Sequence, residues 1–228
     1  MIPYSDYTII DLTLPLSEST PMYHGDPEFR KSWHTVDEKT GCRVGKLELG
    51  LHCGTHVDAP LHVLKGAQGI GEMAPSLFCG NAVVVDAQKA EGQDIEASDI
   101  EKADILPGDI VLFRTGWEER ANTPRFFSGE WPGFTEEAVQ LLSRKKVKSI
   151  GGDMPSADSP SGIRAGLKSH TCALKAGMPI FEALINLKRI VGRRVFFIAL
   201  PLKIVEGDGS PVRAVAIVAC ESGIGKPV

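Results

Sequence analysis

A chain of 228 residues suits one sizeable domain, and 43% hydrophobic with 24% charged residues is the ordinary balance of a soluble globular protein. With 25 Lys and Arg against 29 Asp and Glu, the net charge of −4 offers no basic footprint for nucleic acid and no polybasic patch for a membrane. A small-molecule partner is the expectation that remains.

The start carries Asp6 and Asp11 early instead of a basic segment before an apolar one, so no signal peptide is expected. Tyr7–Leu14 is apolar and β-branched, ends at Pro15, and reads as a strand. Val44–Leu51 alternates, with Leu47, Leu49 and Leu51 opposite Lys46 and Glu48. Asn81–Ala87, Asp109–Arg114, Val147–Gly151, Val195–Val205 and Val212–Ala219 are apolar runs bounded by Gly, Pro or charge. All seven are expected to be strands buried on at least one face. Val195–Val205 holds Pro201 and Lys203 and falls short of the ~20 residues a membrane helix needs.

Helices are fewer. Ala97–Ala103 has capping-box spacing in Ser98 and Glu101. Thr135–Lys145 has a cap in Thr135, acids in its first turn, and a buried stripe of Ala138, Leu141 and Leu142. Lys168–Ala176 and Pro179–Leu187 are expected as two further helical pieces, and 15–27, 120–134 and 152–166 as long surface loops. The five cysteines show no CxxC spacing, which disfavours a disulfide framework and fits a reducing cytoplasm. The fold class expected is α/β, a mixed β-rich single domain spanning 1–228.

Six histidines occur in the chain, and three lie in the run Leu51-His52-Cys53-Gly54-Thr55-His56-Val57-Asp58-Ala59-Pro60-Leu61-His62. His52, His56, Asp58 and His62 hold even positions, while the odd positions are nearly all apolar. In an extended chain that parity puts the polar groups on one face. Ten steps at ~3.3 Å would part His52 from His62 by ~33 Å, so the chain must bend if they share an ion. Gly54 and Pro60 stand where a bend is needed. His52, His56 and Asp58 can then converge, with His62 farther round and free for proton transfer. Cys53 has the wrong parity for a ligand. Imidazole with carboxylate suits Zn, and also Mn or Fe. The bland alternative is a set of satisfied polar residues on an exposed strand face.

His170 is followed twelve residues later by Glu182. Alone the pair says little, since such residues commonly cap helices or face solvent. Beside the first cluster it gains weight, because a two-metal site needs a bridging carboxylate and about five or six protein ligands. His52, His56, Asp58, His170 and Glu182 supply that number. Elsewhere His24 reads as an exposed loop residue, Trp117 as core, and Cys172 as buried packing. Arg114 suits either a substrate carboxylate or a neighbouring acid. Asp153 and Asp158 can position the His170 loop, although turn formation beside Pro155 and Pro160 is the simpler account.

The run HCGTHVDAPLH resembles the HxGTHxDxPxH signature of the cyclase family, which includes bacterial-type kynurenine formamidases and isatin hydrolases. Thr20-Pro21-Met22-Tyr23-His24-Gly25-Asp26 is similar to that family's TPxWPGD-type loop. Arg114-Thr115-Gly116-Trp117 resembles its RTGW strand end, and Gly152–Asp158 its GxDxPSxD loop. The resemblance implies a swivelling β/β/α-type domain assembling as a homodimer or homotetramer. It further implies that His52, His56 and Asp58 bind a first metal, that Asp58 and Glu182 bridge to a second also held by His170, and that His62 is the acid/base. Some members hold one metal only. His24 stands where Pro is common and Val63 where an aromatic often follows the last His. Tyr23 takes an aromatic position, commonly Trp in the formamidases, that lines the substrate pocket. The activity implied is hydrolysis of an aromatic amide or formamide with Zn2+, or Mn2+ as the alternative. Hydrolysis of a cyclic amide or lactone, or metal binding without turnover, are the competing readings.

Overall fold

The computed structural model describes residues 7–219. The strands are β1 (Tyr7–Asp11), β2 (Arg30–Val36), β3 (Arg43–Glu48), β4 (His56–Asp58), β5 (Cys79–Asp86), β6 (Ile110–Arg114), β7 (Ser149–Gly152), β8 (Ile180–Glu182), β9 (Arg194–Ile198), β10 (Gly209–Pro211) and β11 (Val215–Ala219). The helices are α1 (Ala97–Glu101), α2 (Glu136–Arg144), α3 (Pro160–Arg164) and α4 (Lys168–Lys175).

Among the described residues, nine strands make one mixed sheet in the order β1-β11-β9-β5-β6-β7-β8-β4-β10. Its centre, β5 through β8, is parallel, and the flanking pairs are antiparallel. Apolar runs on β5 and β6 are what a sheet covered on both faces demands. Ala82, Val84, Ile110 and Leu112 join Phe78, Phe181 and Phe197 on one side. Val83, Val85, Val111 and Phe113 meet Ala138, Val139 and Leu142 of α2 and Ala173 and Leu174 of α4 on the other. The α/β, β-rich class is as expected.

Helix α2 begins as its sequence dictates, with the Thr135 hydroxyl oxygen accepting from the Ala138 N–H at 3.2 Å. The cap of α1 lies elsewhere than expected. Glu96 and Asp99 form the capping box, and the Glu96 N–H donates to the Asp99 carboxylate at 2.8 Å. Ile95 is pinned by a bridge to Phe134, so the helix starts directly after Glu96 and Ser98 is already inside its first turn.

Three further expectations need correction. Pro179–Leu187 is not helical: Ile180–Glu182 is a strand clamped between β7 and β4. An apolar run that short carries no period, so its neighbours decide its state. In Val195–Val205 the strand stops at Ile198, and Leu202 and Val205 are 64% and 80% exposed. Pro201 lacks the N–H that a continuing ladder requires. Finally, β3 is not buried on either face. Among the described residues it pairs only with β2, a strand the alternation did not flag, and every residue of this hairpin is exposed.

Candidate metal centre

The stretch that carries the histidines is extended only over β4, where His56 and Asp58 share a face and Val57 enters the core. His52 reaches the same place by a turn, not by strand parity. Gly54 makes that turn at φ +63°, a conformation that disfavours other residues. Its carbonyl accepts from His56 Nδ1 at 2.8 Å, which turns Nε2 of His56 inward. Pro60 ends pairing and opens a 3-10 turn, Pro60–His62, that swings His62 aside. Cys53 is buried, and burial with nearby Asp26 pushes its thiol up to about 11, against any thiolate role.

The distant partners arrive through register. Glu182 lies directly opposite His56 in the β4–β8 pair, and cross-strand partners share a face. The same face carries Ile180, which packs under α4, so His170 on that helix comes down onto the two carboxylates. Helix α4 has no side-chain cap of its own. Asp158 substitutes, accepting from the N–H groups of Ser169 and His170 at 3.1 and 2.9 Å and from His170 Nδ1 at 2.6 Å. Asp158 thus holds His170, a role beyond turn formation. Asp153 serves a different place, accepting from Thr115, Gly116 and Glu118.

His56 Nε2 stands 3.4 Å from both Asp58 Oδ1 and Glu182 Oε2, and His170 Nε2 stands 3.5 Å from Asp58 Oδ2 and 3.2 Å from Glu182 Oε1. His52 Nδ1 is closer to Asp58 Oδ1, at 2.8 Å. Ligands bound at ~2.1 Å in a tetrahedron lie about 3.4 Å apart, so the four longer spacings match the edges of a coordination shell. Donor atoms of His52, His56 and Asp58 form one close group, those of Asp58, His170 and Glu182 another, and Asp58 belongs to both. Asp58 Oδ2 is buried without a hydrogen bond, as an atom aimed at a cation would be. These residues fit one or two divalent cations.

The electrostatics agree. Burial penalises the charged form of His56, yet Asp58 and Glu182 outweigh it and push the imidazole up to about 10. His170 is raised too, burial being overcome by Asp158, Asp58 and Glu182. Burial would raise Asp58, but the surrounding imidazoles hold it well below the usual carboxylate range. Two carboxylates stay ionised here and require positive charge, from protons or from a metal ion.

His62 lies outside these two groups but forms a third close group with His52 and Asp208, its ring centroid 4.1 Å from that of His52 and 5.8 Å from that of His170. Sequence reasoning missed Asp208, whose Oδ2 is 3.0 Å from His52 Nε2 and 3.5 Å from His62 Nδ1. Its only sequence signal was an acid beside Gly209. A cavity of about 460 Å³ opens over the centre, bounded by Tyr23, Phe127, Ile163, Leu167 and the histidines. Phe127, also missed, meets Tyr23 edge-on at 6.0 Å. Arg114 does not line the cavity and pairs with Asp86, Glu118 and Glu119. His24 is exposed, Trp117 is core, and Cys172 is only partly buried.

A family model described as "Putative cyclase" matches residues 10–159. The kynurenine formamidase of Erythrobacter litoralis (strain HTCC2594) is 33% identical over 213 residues, 92% of this chain and 94% of that protein. Isatin hydrolase A from Ralstonia solanacearum superposes with a TM-score of 0.83 at 28% identity, covering 93% of this chain and 92% of that one. A structure described as "Potential Metal-Dependent Hydrolase With Cyclase Activity" superposes at 0.77 with 28% identity, covering 92% and 98%. The chain belongs to the cyclase family.

Proposed function

We propose that this protein is a metal-dependent hydrolase that cleaves the carbon–nitrogen bond of a small aromatic amide, with aryl formamides the first candidates. The observation that carries this reading is the buried facing of His56 and His170 with Asp58 and Glu182 at 3.2–3.5 Å, beneath a cavity walled by aromatic rings. The names of the formamidase and hydrolase relatives support it.

His52, His56 and Asp58 would hold one cation, and Asp58, His170 and Glu182 a second, with Asp58 shared. Zn2+ suits this imidazole and carboxylate set best and Mn2+ is the alternative. When bound, such a cation polarises a carbonyl and lowers the pKa of water towards ~7. The chain's own residues do the rest. Tyr23 and Phe127, which meet edge-on, form an aromatic wall against which a flat ring rests. His62, beside the ligands but outside both groups, delivers a proton to the departing nitrogen. Site residues run from Tyr23 to Asp208, which supports the whole chain acting as one domain.

A second reading is hydrolysis of a cyclic amide or lactone. Among the described residues lining the cavity no Lys or Arg stands ready for an α-carboxylate, which suits neutral ring amides equally. Metal analysis with a panel of N-formyl arylamines, N-formylkynurenine, cyclic amides and lactones separates the readings. Turnover that is lost to a chelator and restored by Zn2+ is expected. Tight metal binding with no turnover across the panel would leave a metal-binding protein without catalysis.

The working assembly is a homodimer or homotetramer. An apolar groove of about 600 Å³ between the exposed hairpin and the loop near Leu202, lined by Leu47, Leu49, Leu51, Leu202 and Ile204, supports a second copy there. The place of work is a reducing cytoplasm, supported by free thiols at Cys42, Cys53, Cys79 and Cys172; Cys220 lies outside the described residues. No helix among the described residues is long and apolar enough to cross a membrane.

A further inference from the structure

Asp208 sits at the rim of the cavity, directly before β10. The backbone fixes it there. The Ala59 N–H donates to the Asp208 carbonyl at 2.9 Å, and Gly209 is in register with Asp58 across the β4–β10 pair. The ring of His52 packs on Gly209 so closely that a Cβ there would meet His52 Cε1 at 2.8 Å. The Asp208 carboxylate is therefore carried by the strand pair that carries His56 and Asp58. One of its oxygens, Oδ2, faces His52 Nε2 at 3.0 Å and His62 Nδ1 at 3.5 Å.

We propose that Asp208 is a positioning residue that locks the tautomers and relative orientation of His52 and His62 through this single oxygen. The inference rests on the reading of His62 as the proton-moving group. An ionised carboxylate only accepts, so both facing nitrogens must carry hydrogen. With a cation bound, His52 would then offer it a bare Nδ1, whereas without one Nδ1 faces the Asp58 carboxylate at 2.8 Å and carries a hydrogen as well. His62 keeps its Nε2 lone pair, the site at which it takes up and returns a proton. A carboxylate behind a ligand imidazole also raises that ligand's basicity. The 3.5 Å contact is long for a hydrogen bond, as such contacts often are before substrate closes the site.

The test uses metal-loaded full-length protein and the best substrate of the amide panel. Asp208→Asn keeps the shape but can present an N–H where Oδ2 stands. We expect metal content and KM close to wild type and kcat reduced by roughly 10–100-fold, the range for outer carboxylates. Asp208→Glu restores part of the loss. His62→Ala/Asp208→Asn is no slower than His62→Ala alone, because residues acting as a unit are not additive. Independently of turnover, 15N NMR of the imidazoles shows His62 protonated at Nδ1 in the wild type and shifted towards the other tautomer in Asp208→Asn. If His62→Ala is slow while Asp208→Asn runs at wild-type kcat, the positioning role alone is wrong. If His62→Ala itself runs at wild-type kcat, the reading of His62 fails and takes this inference with it. Loss of a metal equivalent in Asp208→Asn that excess Zn2+ does not restore would make His52, His62 and Asp208 a cation site and overturn the proposal.

Discussion

Asp158 grips His170 twice with one oxygen: Oδ2 accepts from the backbone N–H at 2.9 Å and from the ring Nδ1 at 2.6 Å. A single carboxylate thereby starts helix α4 and aims Nε2 of His170 at Asp58 and Glu182. Asp158→Asn should weaken metal binding by about 10–100-fold, the usual cost of losing an outer carboxylate. Competition against a chromogenic chelator measures it. Wild-type affinity would show that helix packing alone aims the ring.

His62→Ala should cut turnover by roughly 10²–10⁴ and leave metal content unchanged. Elemental analysis beside kinetics checks this. Parallel loss of metal would make His62 a ligand.

Metal removal should reshape the dependence of stability on pH. In the metal-free protein His56 is pushed up to about 10 against an ordinary value of 6.5, so its contribution is full below 6.5 and fades as pH rises towards 10. Asp58 is held well below its ordinary 3.8, so its contribution is full above that value and is lost as the solution becomes more acidic. Thermal melts of metal-free protein should therefore peak between about pH 4 and 6.5. Zn2+ must displace imidazole protons, so its stabilising effect grows with pH and its binding at pH 7 releases protons. Calorimetry in two buffers of different ionisation heat counts them, and zero release would mean neutral imidazoles in the metal-free state.

Gly54→Ala places a Cβ 2.6 Å from Leu16 Cδ2 at a φ of +63°. Leu16 can swing away, but the left-handed backbone still costs roughly 1–2 kcal/mol. Urea unfolding should show that loss. Metal affinity should fall as well, because this turn delivers His52.

Phe127→Ala removes the ring that meets Tyr23 at 6.0 Å across the cavity mouth. It should raise KM for aromatic amides several-fold with kcat nearly unchanged, since the wall binds ground and transition states alike. A fall in kcat instead would show that Phe127 orients the reacting amide.

Much of this was legible in the chain itself. The apolar runs of β5 and β6 announced strands buried on at least one face, which the structure covers on both, and Thr135 announced the start of α2. His52, His56, Asp58 and His62 stood out because four metal-type residues shared eleven positions. Other elements were not legible. β8 is three residues long, too short to show a period, and every residue of β2 and β3 is exposed among the described residues. Asp208 lies 146 positions from His62, beyond the reach of any spacing rule.

Donor chemistry and local bends are properties of neighbouring residues, and the amino-acid order alone determined them: which side chains can bind a cation, where Gly54 and Pro60 turn the chain, and which runs must be buried. Convergence is not local. His56 meets Glu182, and Asp58 meets Gly209, only because β4 is laid between β8 and β10 in one register. That register was chosen by the burial of Val57 and Phe181 in a shared core, since a slip of one residue would turn the ligands into the core and the core towards the cavity.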